Sequence, residues 1–201
     1  MRIYRYDRNE GCPETPPPLD SRSRIMVVGT SGSGKSTLAA LLACRLGIRD
    51  IELDALYWEP DWRGCELPEF RRRIEEEIAD CGDGGYVIHG NYNKVRDLTW
   101  GRCDTVVWLD YPKLTVMRRV VTRTFGRVFG RKLLWRGNRE TFRKSFLSKD
   151  SIILWSWNTH ENRRTQYMEA MARNEFGIER FVVIRDPSFV RGFISTIGGR
   201  P

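Results

Sequence analysis

Eight consecutive residues combine three glycines with one lysine and four hydroxyl side chains, a set of residue types that can hold phosphate. They fit the pattern G-x-x-x-x-G-K-[ST] at every fixed position and read Gly29, Thr30, Ser31, Gly32, Ser33, Gly34, Lys35 and Ser36. Glycines allow successive backbone N–H groups to curl around phosphate oxygens. Lys35 would then reach the β- and γ-phosphates, the Ser36 hydroxyl would bind Mg²⁺, and Thr37 would lie near the α-phosphate. The motif predicts that the chain binds a nucleoside triphosphate.

Two aspartates that follow short apolar runs are candidates for the remaining chemistry. Asp110 ends the run at 105–109 and would hold Mg²⁺ through water; the alternative is that it caps the helix that follows. Asp54 follows a shorter run at 51–53, and a tyrosine and two tryptophans come soon after it. It could accept a proton from a substrate hydroxyl while the aromatic rings stack on a base or ring. The alternative for Asp54 is a helix cap beside core tryptophans.

Positive charge is concentrated in one segment. The chain has a net charge of +8, and residues 118–149 contain eleven basic side chains and one acidic side chain. A repeat of arginines at every fourth residue aligns its members on one face of a helix. They are Arg119, Arg123, Arg127 and Arg131. A mobile cationic lid could close over a transferred phosphoryl group and exclude water. Nucleic acid could bind the same side chains, and a solvated arginine-rich face is a third interpretation.

The rest of the chain alternates short apolar runs with helical patterns, which indicates an α/β fold with a parallel sheet. Residues 25–28 form a continuous apolar run, typical of a strand buried on both faces. After the glycine motif, leucines recur at helical spacing as far as Gly47. This order of strand, loop and helix points the positive end of the helix at the bound phosphates. A long helix is predicted from about Ser151 to Arg173.

Length and composition restrict the class of protein. The 201 residues fit one domain, and no apolar run approaches the ~20 residues that span a bilayer. Five widely spaced cysteines without a C-x-x-C pattern argue against a zinc site and a disulfide framework. Residues 1–23 lack the apolar stretch of a signal peptide and contain several prolines, so they are predicted to be a disordered leader. We expect the chain to remain in the cytoplasm.

Among proteins that bind nucleoside triphosphates, the sequence favours a kinase. A GTPase would carry an N-K-x-D motif after a later strand, but residues 93–96 begin with Asn-Lys and end in arginine. A motor ATPase needs a larger core than this chain offers. The glycine motif, the cationic segment and Arg163 on the next helix together suit transfer of the γ-phosphoryl group of ATP.

The sequence resembles the small adenylate-kinase-like P-loop kinases, and among them the branch called DNA topology modulation (FlaR-related) proteins. The resemblance runs from about residue 25 to the end of the chain. The glycine motif is its specific mark. Weaker branch marks are LDALYW at 53–58, HGNY at 89–92 and WRGNRE at 135–140.

Two arginine patterns extend the resemblance. Residues 123–127 are similar to the R-x-x-G-R of adenylate kinase lids, and Arg163 with Tyr167 is similar to their R-L-x-x-Y helix. The resemblance implies a P-loop NTPase three-layer fold with a five-stranded parallel sheet, in a kinase domain at 24–201 with an arginine-rich helical lid at about 118–149. It also implies ATP as donor, Mg²⁺ and a small phosphate-accepting substrate. The predicted catalytic residues are Lys35, Asp54, Arg123, Arg127 and Arg163.

Two departures from the family pattern leave the acceptor open. Branch members commonly carry an acid where this chain has His89, which either lies near the acceptor or is a buried core histidine. Adenylate kinases place an arginine soon after the corresponding glycine to hold the AMP phosphate, and Arg96 is not at the matching position. We expect a nucleotide or nucleoside-like acceptor. The less favoured alternative is a nucleic-acid-associated protein, either a polynucleotide 5′-hydroxyl kinase or a DNA-binding topology regulator, because no further basic surface is evident outside residues 118–149.

Overall fold

Six parallel strands form one sheet at the centre of the structure. The computed structural model describes residues 1–9, 11–13, 17–129, 134–138 and 151–198. The strands within them are β1 at Arg2–Tyr6, β2 at Arg24–Gly29, β3 at Arg49–Glu52, β4 at Tyr86–His89, β5 at Thr105–Leu109 and β6 at Arg180–Ile184. Their order across the sheet is β1-β6-β5-β2-β4-β3, and all paired neighbours run parallel.

The sequence predicted five strands, and the structure has a sixth, β1. This strand pairs with β6 at one edge of the sheet. Its alternate residues Tyr4 and Tyr6 are buried, and the Tyr6 ring packs against Phe193 with the ring centroids 5.4 Å apart. The prediction that residues 1–23 are disordered is therefore wrong for Arg2–Tyr6. Burial of two tyrosines and pairing with β6 offset the conformational entropy lost on ordering.

Seven α-helices of the described residues cover the two faces of the sheet, which gives three layers. They are α1 at Lys35–Leu46, α2 at Leu53–Tyr57, α3 at Leu67–Ala79, α4 at Arg96–Thr99, α5 at Lys113–Phe129, α6 at Ile152–Arg173 and α7 at Phe189–Thr196. Short 3₁₀ turns lie at Pro60–Trp62, Asn93–Val95 and Trp135–Gly137. The predicted long helix is present as α6, and the Ser151 side chain caps it by accepting a hydrogen bond from the Leu154 N–H.

The sheet divides the core into two clusters. One contains Val27 and Val107 of the central strands, together with residues of α1, α5 and α7. The other contains Met26, Val28 and Val106, together with residues of α3, α4 and α6. Successive residues of β2 and β5 therefore face opposite layers. The continuous apolar run of β2 is buried on both faces, as its sequence predicted.

The predicted lid at about 118–149 is described only in part. Its first residues belong to α5, and residues 134–138 form a turn that packs against Pro60–Trp62. Residues 130–133 and 139–150, which include Arg131, lie outside the described residues. The movement of the lid and the domain boundary at residue 24 stay predictions.

The described segments contain no helix with both the length and the apolar character that crossing a membrane requires.

Removal of the Tyr6 side chain tests whether β1 is an integral strand. We expect Tyr6→Ala to lower the free energy of unfolding by about 3–5 kcal/mol, the usual cost of deleting a buried aromatic ring. Urea denaturation followed by circular dichroism measures this change. The exposed neighbour Arg5 supplies the control, because Arg5→Ala should change stability by less than about 0.5 kcal/mol. Equal stability of the two variants would show that β1 does not contribute to the core.

Candidate active site

The glycine motif forms a loop between the end of β2 and the start of α1. Gly32 has φ +79° and Gly34 has φ +98°, values that residues with side chains rarely adopt. A Cβ atom on Gly32 would also lie 2.4 Å from Cγ2 of Val120 in α5, so this helix touches the loop directly. Because α1 begins at Lys35, the N–H groups of its first turn have no intrahelical partner. The loop and the helix end form an electropositive cradle suited to phosphate.

Two arginines of α5, one helical turn apart, contact this loop. Arg119 Nη1 donates a hydrogen bond to the backbone oxygen of Ser33 at 3.2 Å, and Arg123 Nη2 donates to Ser31 Oγ at 3.1 Å. The Arg119 guanidinium also lies over the Tyr111 ring, 5.3 Å from its centroid. Arg119 was not among the predicted site residues, although its four-residue spacing from Arg123 placed the two on one helix face. α5 therefore supplies at least two cations to the loop.

The other two predicted arginines lie on α5 and α6. Arg127 belongs to α5, and its side chain lies outside the described part of the structure. The Arg163 guanidinium lies over the Trp155 ring, 4.7 Å from its centroid, and interacts with the hydroxyl of Tyr167. Burial raises the pKa of that hydroxyl, so Tyr167 stays a neutral donor.

Lys35 contacts the backbone of the phosphate loop and interacts electrostatically with other predicted catalytic side chains. Its Nζ donates a hydrogen bond to the backbone oxygen of Thr30 at 3.1 Å. Burial lowers the pKa of Lys35 to about 8; the Asp54 carboxylate opposes this shift, and Arg123 and Arg163 add to it. Three of the other four predicted catalytic residues thus lie close enough to Lys35 to influence its charge. Their chemical roles stay predictions.

Asp54 lies in the first turn of α2. The N-cap of this helix is Glu52, so Asp54 is not its capping residue, and the alternative interpretation of Asp54 as a helix cap is wrong. Asp54 Oδ1 instead accepts a hydrogen bond from the Tyr92 hydroxyl at 2.5 Å. The Tyr92 ring packs against the rings of Tyr57 and Phe70. Sequence reasoning gave Tyr92 no role, and its place in the HGNY mark was the one signal that could have found it.

Asn91, the residue before Tyr92, links three elements. Its Nδ2 donates a hydrogen bond to the backbone oxygen of Gly29 at 2.8 Å, and its Oδ1 accepts one from the Tyr167 hydroxyl at 2.8 Å. These bonds tie the end of β4 to the phosphate loop on one side and to α6 on the other. Asn91 was also missed by sequence reasoning, because its two partners are far from it along the chain.

Three half-buried tryptophans form a wall beside α2. The rings of Trp58 and Trp62 meet edge to face with centroids 5.5 Å apart, and those of Trp62 and Trp135 with centroids 6.2 Å apart. Asn138 holds the segment of Trp135 in place, because its Oδ1 accepts a hydrogen bond from the Trp62 N–H at 3.0 Å. Trp58 is the C-cap of α2, and its backbone N–H donates a hydrogen bond to the backbone oxygen of Asp54 at 3.1 Å. The tryptophan wall, Trp58, Trp62 and Trp135, therefore begins at the end of the short helix that carries Asp54.

Asp110 and His89 are each paired with a neighbour. The Asp110 side chain is only 4% exposed; Arg164 Nε donates to it at 2.8 Å, and Arg185 Nε lies 3.5 Å away. Its role in holding Mg²⁺ stays a prediction and would require one of these ion pairs to open.

The His89 side chain is buried, with Nε2 3.3 Å from the Asp50 carboxylate. Of the two interpretations of His89, this arrangement favours the buried core histidine.

Sequence comparisons find two curated relatives. A shikimate kinase of Synechococcus sp. (strain RCC307) is 30% identical over 132 residues, which cover 55% of this chain and 64% of that protein. The uncharacterised protein YqaC of Bacillus subtilis (strain 168) is 29% identical over 132 residues, covering 65% of this chain and 72% of YqaC. The match thus spans less than two thirds of the shikimate kinase. No family model matches the sequence.

Solved structures resemble the chain over most of its length. A sugar kinase of Janibacter sp. HTCC2649 covers 89% of this chain and 91% of its own, with a TM-score of 0.51 and 19% identity. A shikimate kinase of Bacteroides thetaiotaomicron covers 86% of this chain and 94% of its own, with a TM-score of 0.50 and 16% identity. The chain has a P-loop kinase fold. Within this P-loop kinase fold, the adenylate-kinase-like, FlaR-related branch stays a prediction.

A nucleotide-bound Mg²⁺ fits the residues that the P-loop kinase fold places at the loop. Ser36 is exposed at the start of α1. No cluster of three or more His, Cys, Asp or Glu side chains that could hold a metal occurs among the residues described above. Mg²⁺ keeps several waters and takes most other ligands from substrate phosphates. Mg²⁺ could therefore be held with a single hydroxyl at the helix start, and the role of Ser36 as that ligand stays a prediction.

Substitution of Gly32 tests the contact between the loop and α5. We expect Gly32→Ala to lower the free energy of unfolding by about 2–4 kcal/mol, because alanine is strained at this φ and its Cβ would meet Val120. Chemical denaturation measures the loss, and calorimetry with MgATP measures the accompanying fall in affinity. In the control Gly126→Ala, the new Cβ meets nothing within 4 Å, so stability should be unchanged or raised by up to about 1 kcal/mol. Wild-type stability of Gly32→Ala would contradict the loop geometry.

The lowered pKa of Lys35 predicts a pH dependence of nucleotide binding. Below a pH of about 8 the ammonium is charged and attracts phosphate; above it, the protein must take up a proton before it binds. We expect the MgATP affinity to fall about tenfold for each pH unit above this value. Calorimetry across the alkaline range measures the slope. Lys35→Arg stays charged throughout and should bind with no such slope, so an equal slope in both proteins would assign the titration to another group.

Proposed function

We propose that the chain is an ATP-dependent small-molecule kinase that transfers the γ-phosphoryl group to a hydroxyl of its acceptor. The observation that carries this proposal is a pair of hydrogen bonds from consecutive residues: Asn91 Nδ2 donates to the Gly29 backbone oxygen of the phosphate loop at 2.8 Å, and the Tyr92 hydroxyl donates to Asp54 Oδ1 at 2.5 Å. These bonds bring the loop that carries Lys35 and a candidate proton acceptor together at one end of the sheet. Ligands of open α/β sheets bind at the carboxyl ends of the strands, where both residues lie.

The donor side of the site is suited to MgATP. Backbone N–H groups of the loop and of the first turn of α1 would hold the phosphates, with Lys35 on the β- and γ-phosphates and Thr37 near the α-phosphate. Mg²⁺, held in part by the Ser36 hydroxyl, would neutralise charge on the β- and γ-oxygens.

The acceptor side consists of Asp54 and the tryptophan wall. A ring-shaped acceptor would rest against the indoles while its hydroxyl donates to the Asp54 carboxylate. As the acceptor oxygen forms its bond to the γ-phosphorus, the bond from phosphorus to the leaving ADP oxygen breaks, and the hydroxyl proton passes to Asp54. Arg123 and Arg163 would stabilise the charge on the transferred group, and the packed helices would limit access of water.

The relatives support an acceptor of small size. The similar proteins are named for shikimate and for sugar, and both compounds are small and carry several hydroxyl groups. The nucleotide or nucleoside-like acceptor expected from the sequence belongs to the same size class and stays part of the proposal.

An acceptor panel tests the proposed function. Purified protein is incubated with MgATP and, one at a time, with shikimate, sugars, nucleosides, nucleoside monophosphates and 5′-hydroxyl oligonucleotides, and ADP release is measured. We expect transfer to at least one small hydroxyl compound and a loss of about 100-fold or more in Lys35→Ala, because a transition-state cation is removed. Lys94→Ala, at an exposed lysine, is the control for general effects. Transfer only to oligonucleotides, or to no compound, would overturn the proposal.

A further inference from the structure

Tyr92 has two sets of contacts that fix it beside Asp54. Its hydroxyl donates to Asp54 Oδ1 at 2.5 Å. Its ring is held edge-on or tilted against Tyr57 and Phe70, with centroids 4.8 Å and 5.0 Å away. Aromatic contacts of this geometry restrict the ring, so the hydroxyl can be held at one position.

The two residues before Tyr92 contact the two parts of the site, one the phosphate loop and the other the helix that carries Asp54. Asn91 binds the backbone oxygen of Gly29 in the phosphate loop. Gly90 approaches α2 so closely that a Cβ atom on it would lie 2.7 Å from Cβ of Leu53, the residue that precedes Asp54. Consecutive residues after β4 therefore contact the donor loop and the helix that carries the carboxylate. A side chain extending from this segment can hold the carboxylate at a constant place relative to the loop.

We propose that Tyr92 is a positioning residue of the acceptor site, which holds Asp54 Oδ1 and leaves Oδ2 for the hydroxyl of the acceptor. This inference rests on the proposed function, because it assigns Asp54 the role of proton acceptor. A hydrogen bond donated to one carboxylate oxygen restricts the rotation of the carboxylate, and the lone pairs of the other oxygen can still accept.

The chemistry of Tyr92 excludes the opposite assignment, in which the phenol itself takes the proton. Burial raises the pKa of Tyr92, and the neighbouring Asp54 charge raises it further. The phenol therefore stays protonated and acts as a donor. It is not a competing base.

The first part of the test detects the bond and needs no acceptor. Protein labelled with ¹³C at tyrosine Cζ gives a signal for each tyrosine, and Tyr92→Phe identifies the signal of Tyr92. In Asp54→Asn we expect the Tyr92 signal to move, because the partner of its hydroxyl loses its charge. The signal of Tyr86, whose hydroxyl donates to the Arg102 backbone oxygen, should stay in place. A Tyr92 signal unchanged by Asp54→Asn would overturn the inference whatever the activity.

The second part separates positioning from a general structural role. Tyr92→Phe keeps the ring and removes the hydroxyl, and Tyr86→Phe removes a buried tyrosine hydroxyl from the other end of β4. With the best acceptor of the panel, we expect Tyr92→Phe to lower kcat about tenfold, the effect of losing one hydrogen bond to a charged group. Its KM for ATP should stay within about twofold, because the phosphate loop is untouched. Tyr86→Phe should keep the wild-type kcat.

The outcomes distinguish failure of this inference from failure of the proposed function. The positioning role would be overturned if Tyr92→Phe and Tyr86→Phe lost kcat equally, or if Tyr92→Phe changed only the KM for ATP. The proposed phosphoryl transfer would not be affected by either result. Absence of transfer by the wild-type protein, with the Tyr92 signal still responding to Asp54→Asn, would overturn the proposed function and leave the bond as a structural contact only.

Discussion

The contact between α5 and the phosphate loop is the constraint on which the candidate site depends. Gly32 has no side chain and adopts a left-handed conformation, so Val120 can pack directly against it. Arg119 and Arg123 then reach the loop from the same helix. Their positive charge adds to that of Lys35, and part of the lowered pKa of Lys35 reflects Arg123. Packing of the core beneath α5 holds these like charges together against their repulsion.

The sheet order explains how distant residues meet at the loop. β2 lies between β4 and β5, so the segments that follow these three strands emerge side by side at one edge of the sheet. The segment after β4 supplies Asn91 and Tyr92, and the segment after β5 leads into the helix that covers the loop. Asp54 reaches the same edge because β3 pairs with β4. The chemistry of the site is thus assembled from several short local segments.

Local sequence patterns predicted the elements better than the partners of individual side chains. The glycine motif, the buried run of β2 and the extent of α6 follow from residue type and spacing within a few turns of chain. The bond from Tyr92 to Asp54 joins residues 38 positions apart, and that from Arg164 to Asp110 joins residues 54 positions apart. Single-sequence patterns contain no record of such long-range pairs. β1 was missed because its five residues include two arginines and form no continuous apolar run, and prolines follow soon after.

The position of β1 has a consequence for the order in which the molecule is built. Its partner in the sheet is β6, although these two strands are the first and the last of the six in the chain. During synthesis from the amino end, β1 emerges long before β6. Until β6 is made, β1 has no partner strand, and its two tyrosines have no surface against which to pack. Such a connection between remote segments has a high entropic cost of closure and makes late steps of folding slow. We therefore expect β1 to join the sheet only after β6 has formed.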